Sequence, residues 1–162
     1  MLNLSPENIV YIFAGLFMGI SLALIIYKRK EKFPYFSREN LLSPAELQFY
    51  KVLKAVCNGR HDISCKVRLG DIINCTEYYW HKGYGPKISA KHIDFTLHHP
   101  DTSEIILCIE LDDKSHNKPD RIARDKFVNK ALDSANVPIL HVPVTRGYDM
   151  AKLQKDIAVS IK

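Results

Sequence analysis

The stretch ILCIELDDKSH, residues 106–116, decides how the chain is read. Five of its first six residues are apolar, with no alternation, as suits a central strand covered on both faces. Glu110, Asp112, Asp113, Lys114 and His116 then follow in quick succession. A carboxylate at the end of a buried run is costly unless something compensates its charge. The acids therefore mark either a site or a strand running out into a turn.

The flanking sequence supplies the frame. Residues 91–98 (KHIDFTLH) alternate Ile93, Phe95 and Leu97 with His92, Asp94 and Thr96, and residues 63–70 alternate Ile63, Cys65, Val67 and Leu69 with polar partners. Period two predicts two strands before the central one. Upstream, LLSPAELQFYKVLKAV sets Ser43 as N-cap, Pro44 at the first helical position and Glu46 three residues after the cap, a capping box. A helix is predicted from Pro44 to about Cys57, with Leu47, Tyr50, Leu53 and Val56 on its apolar side. Residues 71–89 are read as a short helical piece and a loop. Downstream, residues 120–136 form a helix with Ile122, Phe127, Ala131, Leu132 and Ala135 as its stripe. Residues 138–144 make a fourth strand and 149–161 a last helix. Three consecutive strands, a crossover helix and a fourth strand predict an α/β sandwich with a mixed sheet, in the order αβββαβ.

A different segment precedes this unit. Residues 9–27 (IVYIFAGLFMGISLALIIY) carry no charge, and KRKEK follows at once. Nineteen helical residues rise about 28 Å, close to the roughly 30 Å hydrocarbon core of a bilayer. The charge order is the reverse of a cleaved signal peptide. Basic residues after the span predict the N-terminus outside and the remainder in the cytoplasm, as a single-pass protein of the inner (cytoplasmic) membrane. The expected organisation is an anchor at 1–32 and one domain at 33–162. The net charge of +5 leaves that domain mildly basic, which permits nucleic-acid binding without requiring it. Cys57, Cys65, Cys75 and Cys108 lack zinc-ligand spacing and suit reduced thiols. There is no P-loop, glycine-rich fingerprint or serine elbow.

Residues two apart on a strand share a face, so Glu110, Asp112 and Lys114 are expected to point together, with Asp94 joining them across the hairpin. Oxygen-only ligands suit Mg²⁺ or Mn²⁺, and the nearby Lys114, His116, Arg121, Arg124 and Lys126 suit a phosphodiester.

The residues HIDF…IELDDKSH…RIARDKFVNKAL…VPILHVP resemble a bacterial family of uncharacterised domains. That family is related to the PD-(D/E)XK nuclease superfamily, near its very-short-patch repair endonuclease-like branch. The resemblance covers roughly residues 36–157 and implies a restriction-endonuclease-like fold behind one transmembrane helix. It implies a Mg²⁺-dependent nuclease acting on DNA, with RNA second. Asp94 and Glu110 would be metal ligands with the Leu111 carbonyl, and Glu46 would reach the ion through water. Asp112 stands where the superfamily has its lysine, and His116 or Lys114 would take over proton transfer. Arg124, with Arg121 beside it, would contact phosphate. The alternative is a catalytically inactive nuclease-like module that binds nucleic acid or a protein partner at the membrane. Simpler roles stay open for several residues: capping for Glu46, a turn for Asp112 and Asp113, a loop histidine for His116, surface charge for Arg121 and Arg124. Tyr78, Tyr79 and Trp80 could stack on bases, but packing is the expected role.

Overall fold

The computed structural model describes residues 5–28, 33–113 and 119–161, and falls into two compact units, Met1–Glu39 and Asn40–Lys162. In the first, α1 (Pro6–Lys28) is a single helix. Its stretch Pro6–Leu24 is long and apolar enough to cross a membrane, and none of it is buried inside the protein.

The second unit runs α2 (Pro44–Cys57), β1 (Asp62–Arg68), α3 (Leu69–Ile72), α4 (Glu77–His81), α5 (Tyr84–Ser89), β2 (His92–His98), β3 (Ile105–Asp112), α6 (Pro119–Ser134), β4 (Ile139–Pro143) and α7 (Met150–Ser160). Both halves of the capping box form: the Ser43 hydroxyl accepts from the Glu46 N–H, and the Glu46 carboxylate accepts from the Ser43 N–H at 2.8 Å. Asn58, in the left-handed region, ends that helix. Residues 71–89 hold two more short helices than the single piece expected, because Gly83 at φ +88 lets the chain turn directly from α4 into α5.

The four strands lie in the order β1-β2-β3-β4. The first three pair antiparallel, and β3 pairs parallel with β4 after the α6 crossover, which makes the sheet mixed as expected. Layers cover both faces. Leu107, Ile109 and Leu111 join the α2 and α7 residues Phe49, Leu53, Leu153 and Ile157. Cys108 joins Val128 and Leu132 of α6 and Leu69, Ile73 and Ile88. Neighbours on β3 thus enter opposite clusters, which is why its sequence is apolar without alternation.

Two helix faces differ in phase from the expectation. In α2, Phe49 rather than Leu47 is the anchor: Phe49 is fully buried against Phe95 and Tyr148, whereas Leu47 is 43% exposed. In α6, Ile122 is exposed and Val128 and Leu132, one turn apart, carry the burial. Both helices offer more apolar residues than one face accommodates, and the sheet selects among them.

Along β2 the alternation itself breaks. Phe95 and Leu97 belong to the α2 cluster, but Ile93, two residues earlier, belongs to the α6 cluster. Pairing of β2 with β3 also stops at Phe95↔Ile109. Across from Asp94 on β1, Lys66 takes φ +56 and drops out of a ladder that pairs Cys65↔Phe95 and Val67↔Ile93. The sheet therefore opens and twists at one place, around Lys66, Asp94 and Glu110.

Phe49→Ala is expected to cost about 3–5 kcal/mol, the range for emptying a fully buried aromatic site. Urea unfolding of the full chain measures it, with Leu47→Ala, at the exposed position, changing stability by less than about 0.5 kcal/mol.

Candidate active site

The opening in the sheet is lined by Glu46, Lys66, His92, Asp94, Glu110 and Arg124, with Leu111 and Asp113 at its edge, and encloses about 360 Å³. The Lys66 ammonium is its hub. Nζ donates to Glu46 Oε1 at 2.5 Å and to Asp94 Oδ1 at 2.7 Å, with all three side chains largely shielded from water. Burial by itself depresses a lysine, but the bonds to Asp94 and Glu46 outweigh it and raise the Lys66 pKa. Burial likewise raises Glu46, yet Lys66 and the Ser43 N–H and hydroxyl reverse the sign and hold it below the usual carboxylate range.

The second Asp94 oxygen accepts the Leu111 N–H at 3.0 Å. That bond replaces the backbone partner β2 no longer offers β3 beyond Ile109. Asp94 thereby ties β1 to β3 and has both oxygens engaged on arrival.

Glu110 is the uncompensated member. Burial pushes its carboxyl up to about 8, the adjacent Asp94 charge adds to this, and Arg124 opposes it. A hydrogen bond between the Glu110 and Asp94 carboxyls also favours the protonated form. Two acids in contact away from water share a proton unless a cation reaches them. Arg124 opposes this only in part, since the carboxyl stays raised; one of its guanidinium nitrogens also donates to the His92 carbonyl at 3.3 Å.

Of the residues expected from the sequence, the structure brings Glu46, Asp94, Glu110, Leu111 and Arg124 to this opening. Asp112 goes elsewhere. Its carboxylate meets His141 Nδ1 of β4 at 3.1 Å, and His141 Nε2 meets Asn129 of α6 at 3.0 Å, a polar link across the α6 crossover. Lys114 and His116 lie outside the described residues, and Arg121 stands in the first turn of α6. Sequence reasoning missed Lys66. Its only signal was its place at a polar position of an alternating strand, between Ser64 and Arg68, where a lysine is ordinarily a solvated one. The cysteines are all free, and burial pushes the Cys108 thiol up to about 12, too high for a nucleophile at neutral pH.

As a metal site, the opening offers few ligands. Among the described residues no group of three or more His, Cys, Asp or Glu side chains is gathered closely enough to hold an ion. Its lining offers the oxygen donors of Asp94 and Glu110, the ligand type that a hard divalent ion keeping several waters would take.

The class is therefore a mixed α/β domain whose four-stranded sheet opens around a lysine–carboxylate pocket. The chain belongs to the family described as Protein of unknown function (DUF2726), whose model matches residues 38–161. No curated protein and no solved structure matches it.

Because Glu110 binds its proton more tightly in the fold than at the ordinary value of 4.5, its stabilising contribution is complete below that pH and is lost as the pH rises through about 8. The loss amounts to at most about 4–5 kcal/mol. Thermal melts of the metal-free full chain between about pH 5 and pH 9 are expected to show this fall, and Glu110→Gln to remove it. An equal fall in the Gln variant would assign it to another group.

Proposed function

We propose that this domain is a metal-dependent phosphodiester hydrolase of the PD-(D/E)XK, restriction-endonuclease-like kind, acting on DNA. The observation that carries the reading is the convergence of Asp94 and Glu110 on one pocket beside the Lys66 ammonium, at the point where pairing of β2 with β3 stops. The order of one helix, three antiparallel strands, a crossover helix and a parallel fourth strand agrees with it.

In this reading Asp94, Glu110 and the Leu111 carbonyl would hold Mg²⁺ or Mn²⁺. Bound there, the ion supplies Lewis-acid polarisation of a phosphoryl oxygen and a more acidic water. Glu110 would serve such an ion as its carboxylate, the form that a nearby positive charge favours. Lys66 provides the ammonium that Asp112 replaces on β3, coming from β1 and held in place by Glu46. It sets positive charge beside Asp94, where phosphate charge grows as the phosphorus–oxygen bond breaks. Arg124, exposed at the rim, grips a non-reacting phosphate oxygen. Lys114 and His116 remain candidates for moving the proton to the leaving oxygen. The basic 28–32 cluster after α1 supports an inner-membrane anchor with this domain on the cytoplasmic side.

One observation favours a second reading, an inactive binding module: Lys66 and the Leu111 N–H already occupy both Asp94 oxygens. Activity separates the two. The full chain in phosphatidylcholine nanodiscs is expected to cut DNA with Mg²⁺ or Mn²⁺. Asp94→Ala and Glu110→Ala are expected to abolish cutting, and Lys66→Met to slow it by roughly 10²–10⁴. Salt-sensitive DNA binding with no cutting in any divalent ion establishes the module instead. Protease added to intact spheroplasts should spare residues 40–162 and digest them only after lysis; digestion before lysis reverses the topology.

A further inference from the structure

Between β1 and β2 the chain makes a detour through α3, α4 and α5 that contributes an exposed aromatic surface. Helix α4 buries none of its five residues. Tyr78, Tyr79, Trp80 and Tyr84 are 62, 50, 39 and 49% exposed. They form one surface: Tyr78 meets Tyr79 edge-on at 5.1 Å, and Tyr79 meets Tyr84 edge-on at 5.6 Å. Trp80 rests on Gly85, where any Cβ would lie 2.2 Å from the indole, so only glycine leaves room for the ring against α5.

Cations are interleaved with the rings. Lys82 Nζ lies 4.1 Å over the Tyr78 ring and bonds its hydroxyl, and Lys87 Nζ lies 5.3 Å over Tyr84. Lys91 donates to the Lys87 carbonyl and sits 4.7 Å over Phe127 of α6. From residue 77 to residue 91 three lysines stand against one acid, Glu77. The detour returns to the sheet next to the carboxylate pocket. Lys91 is three residues before Asp94, and its neighbour His92 lines the opening together with Arg124.

We propose that this surface is a stacking platform for an unpaired nucleic-acid strand, which it feeds toward Asp94 and Glu110; the proposal rests on the hydrolase reading and names its substrate class. Exposed ring faces take base faces, and ammonium groups held at the rings take the phosphates between them. A paired duplex offers no free base faces along its length, so the platform selects unpaired strands or frayed ends. Lipid is the poorer match. Membrane-inserting faces carry aliphatic side chains alongside aromatics. Here every large exposed apolar residue between 69 and 91 is a tyrosine or the tryptophan, each with a polar tip.

Trp80 is the chain's single tryptophan, so its emission reports on the platform directly. The full chain in phosphatidylcholine nanodiscs, with EDTA present, is titrated with an oligothymidylate of roughly 20 nucleotides and with a blunt duplex of equal length. The strand is expected to quench Trp80 and to bind about tenfold tighter than the duplex. Tyr78→Ala and Tyr84→Ala should each lose roughly tenfold in strand affinity, while Tyr78→Phe and Tyr84→Phe keep it. Phosphatidylglycerol nanodiscs should leave the Trp80 spectrum unmoved. An unresponsive Trp80, alanine variants that bind like the parent, equal binding of strand and duplex, or a spectral shift caused by phosphatidylglycerol overturns the platform. The two readings fail separately. Strand binding through Tyr78 and Tyr84 without hydrolysis in any divalent ion keeps the platform and removes the hydrolase. Hydrolysis of strands at the parental rate by both alanine variants, at subsaturating substrate, removes the platform and keeps the hydrolase.

Discussion

The ammonium of Lys66, clamped between Glu46 and Asp94, is the interaction around which the domain's working end is arranged. It joins α2, β1 and β2 at one atom, in a place shielded enough that separating the charges would leave two acids uncompensated. To reach that place, Lys66 adopts a left-handed backbone in the middle of a strand, φ +56, which an ordinary side chain avoids. Such a conformation costs of order 1–3 kcal/mol and persists only where its surroundings fix it. Here both of its carboxylate partners are themselves anchored, Glu46 by the capping box and Asp94 by the Leu111 N–H.

The same opening explains why Glu110 is out of balance. Once β2 and β3 part after Phe95 and Ile109, Asp94 swings in to satisfy the Leu111 amide and comes up against Glu110. Lys66 is already shared by two acids, and Arg124 is bonded in part to the His92 carbonyl. One ammonium thus serves two carboxylates, and the third acid is left half-buried with its proton affinity raised.

The scaffold can hold such a misfit because the rest of the sheet is conventional. Strand β3 is buried on both faces, by α2 and α7 on one side and α6 on the other. The Asp112–His141–Asn129 chain fastens β3, β4 and α6 to one another beyond the opening. The exposed detour from α3 to α5 leaves the end of β1 and returns at the start of β2, where the Leu69 N–H donates to the Lys91 carbonyl at 2.7 Å.

Sequence by itself determined most of the elements, the short helices between β1 and β2 excepted. The capping box fixed the start of α2, period two fixed β1 and β2, and the unbroken apolar run fixed β3 as the doubly covered strand. The uncharged segment within α1 was equally plain, because length and composition suffice to recognise it. These are local signals, written in the spacing of neighbouring residues. Which acids meet was only half legible: Asp94 and Glu110 carried the signal of charge inside apolar strands, whereas Asp112, on the same face as Glu110 by spacing, turned to a histidine supplied by β4. Tertiary structure alone decided Lys66, since a lysine between Ser64 and Arg68 reads as solvated until an Asp on the next strand and a Glu on a separate helix converge on it. It also decided that Phe49 rather than Leu47 is buried and that the α4 tyrosines face water. The physical reason is common to all of these. Side-chain chemistry is local, but charge compensation and burial depend on groups far apart in the chain, whose meeting only the packed sheet and helices specify.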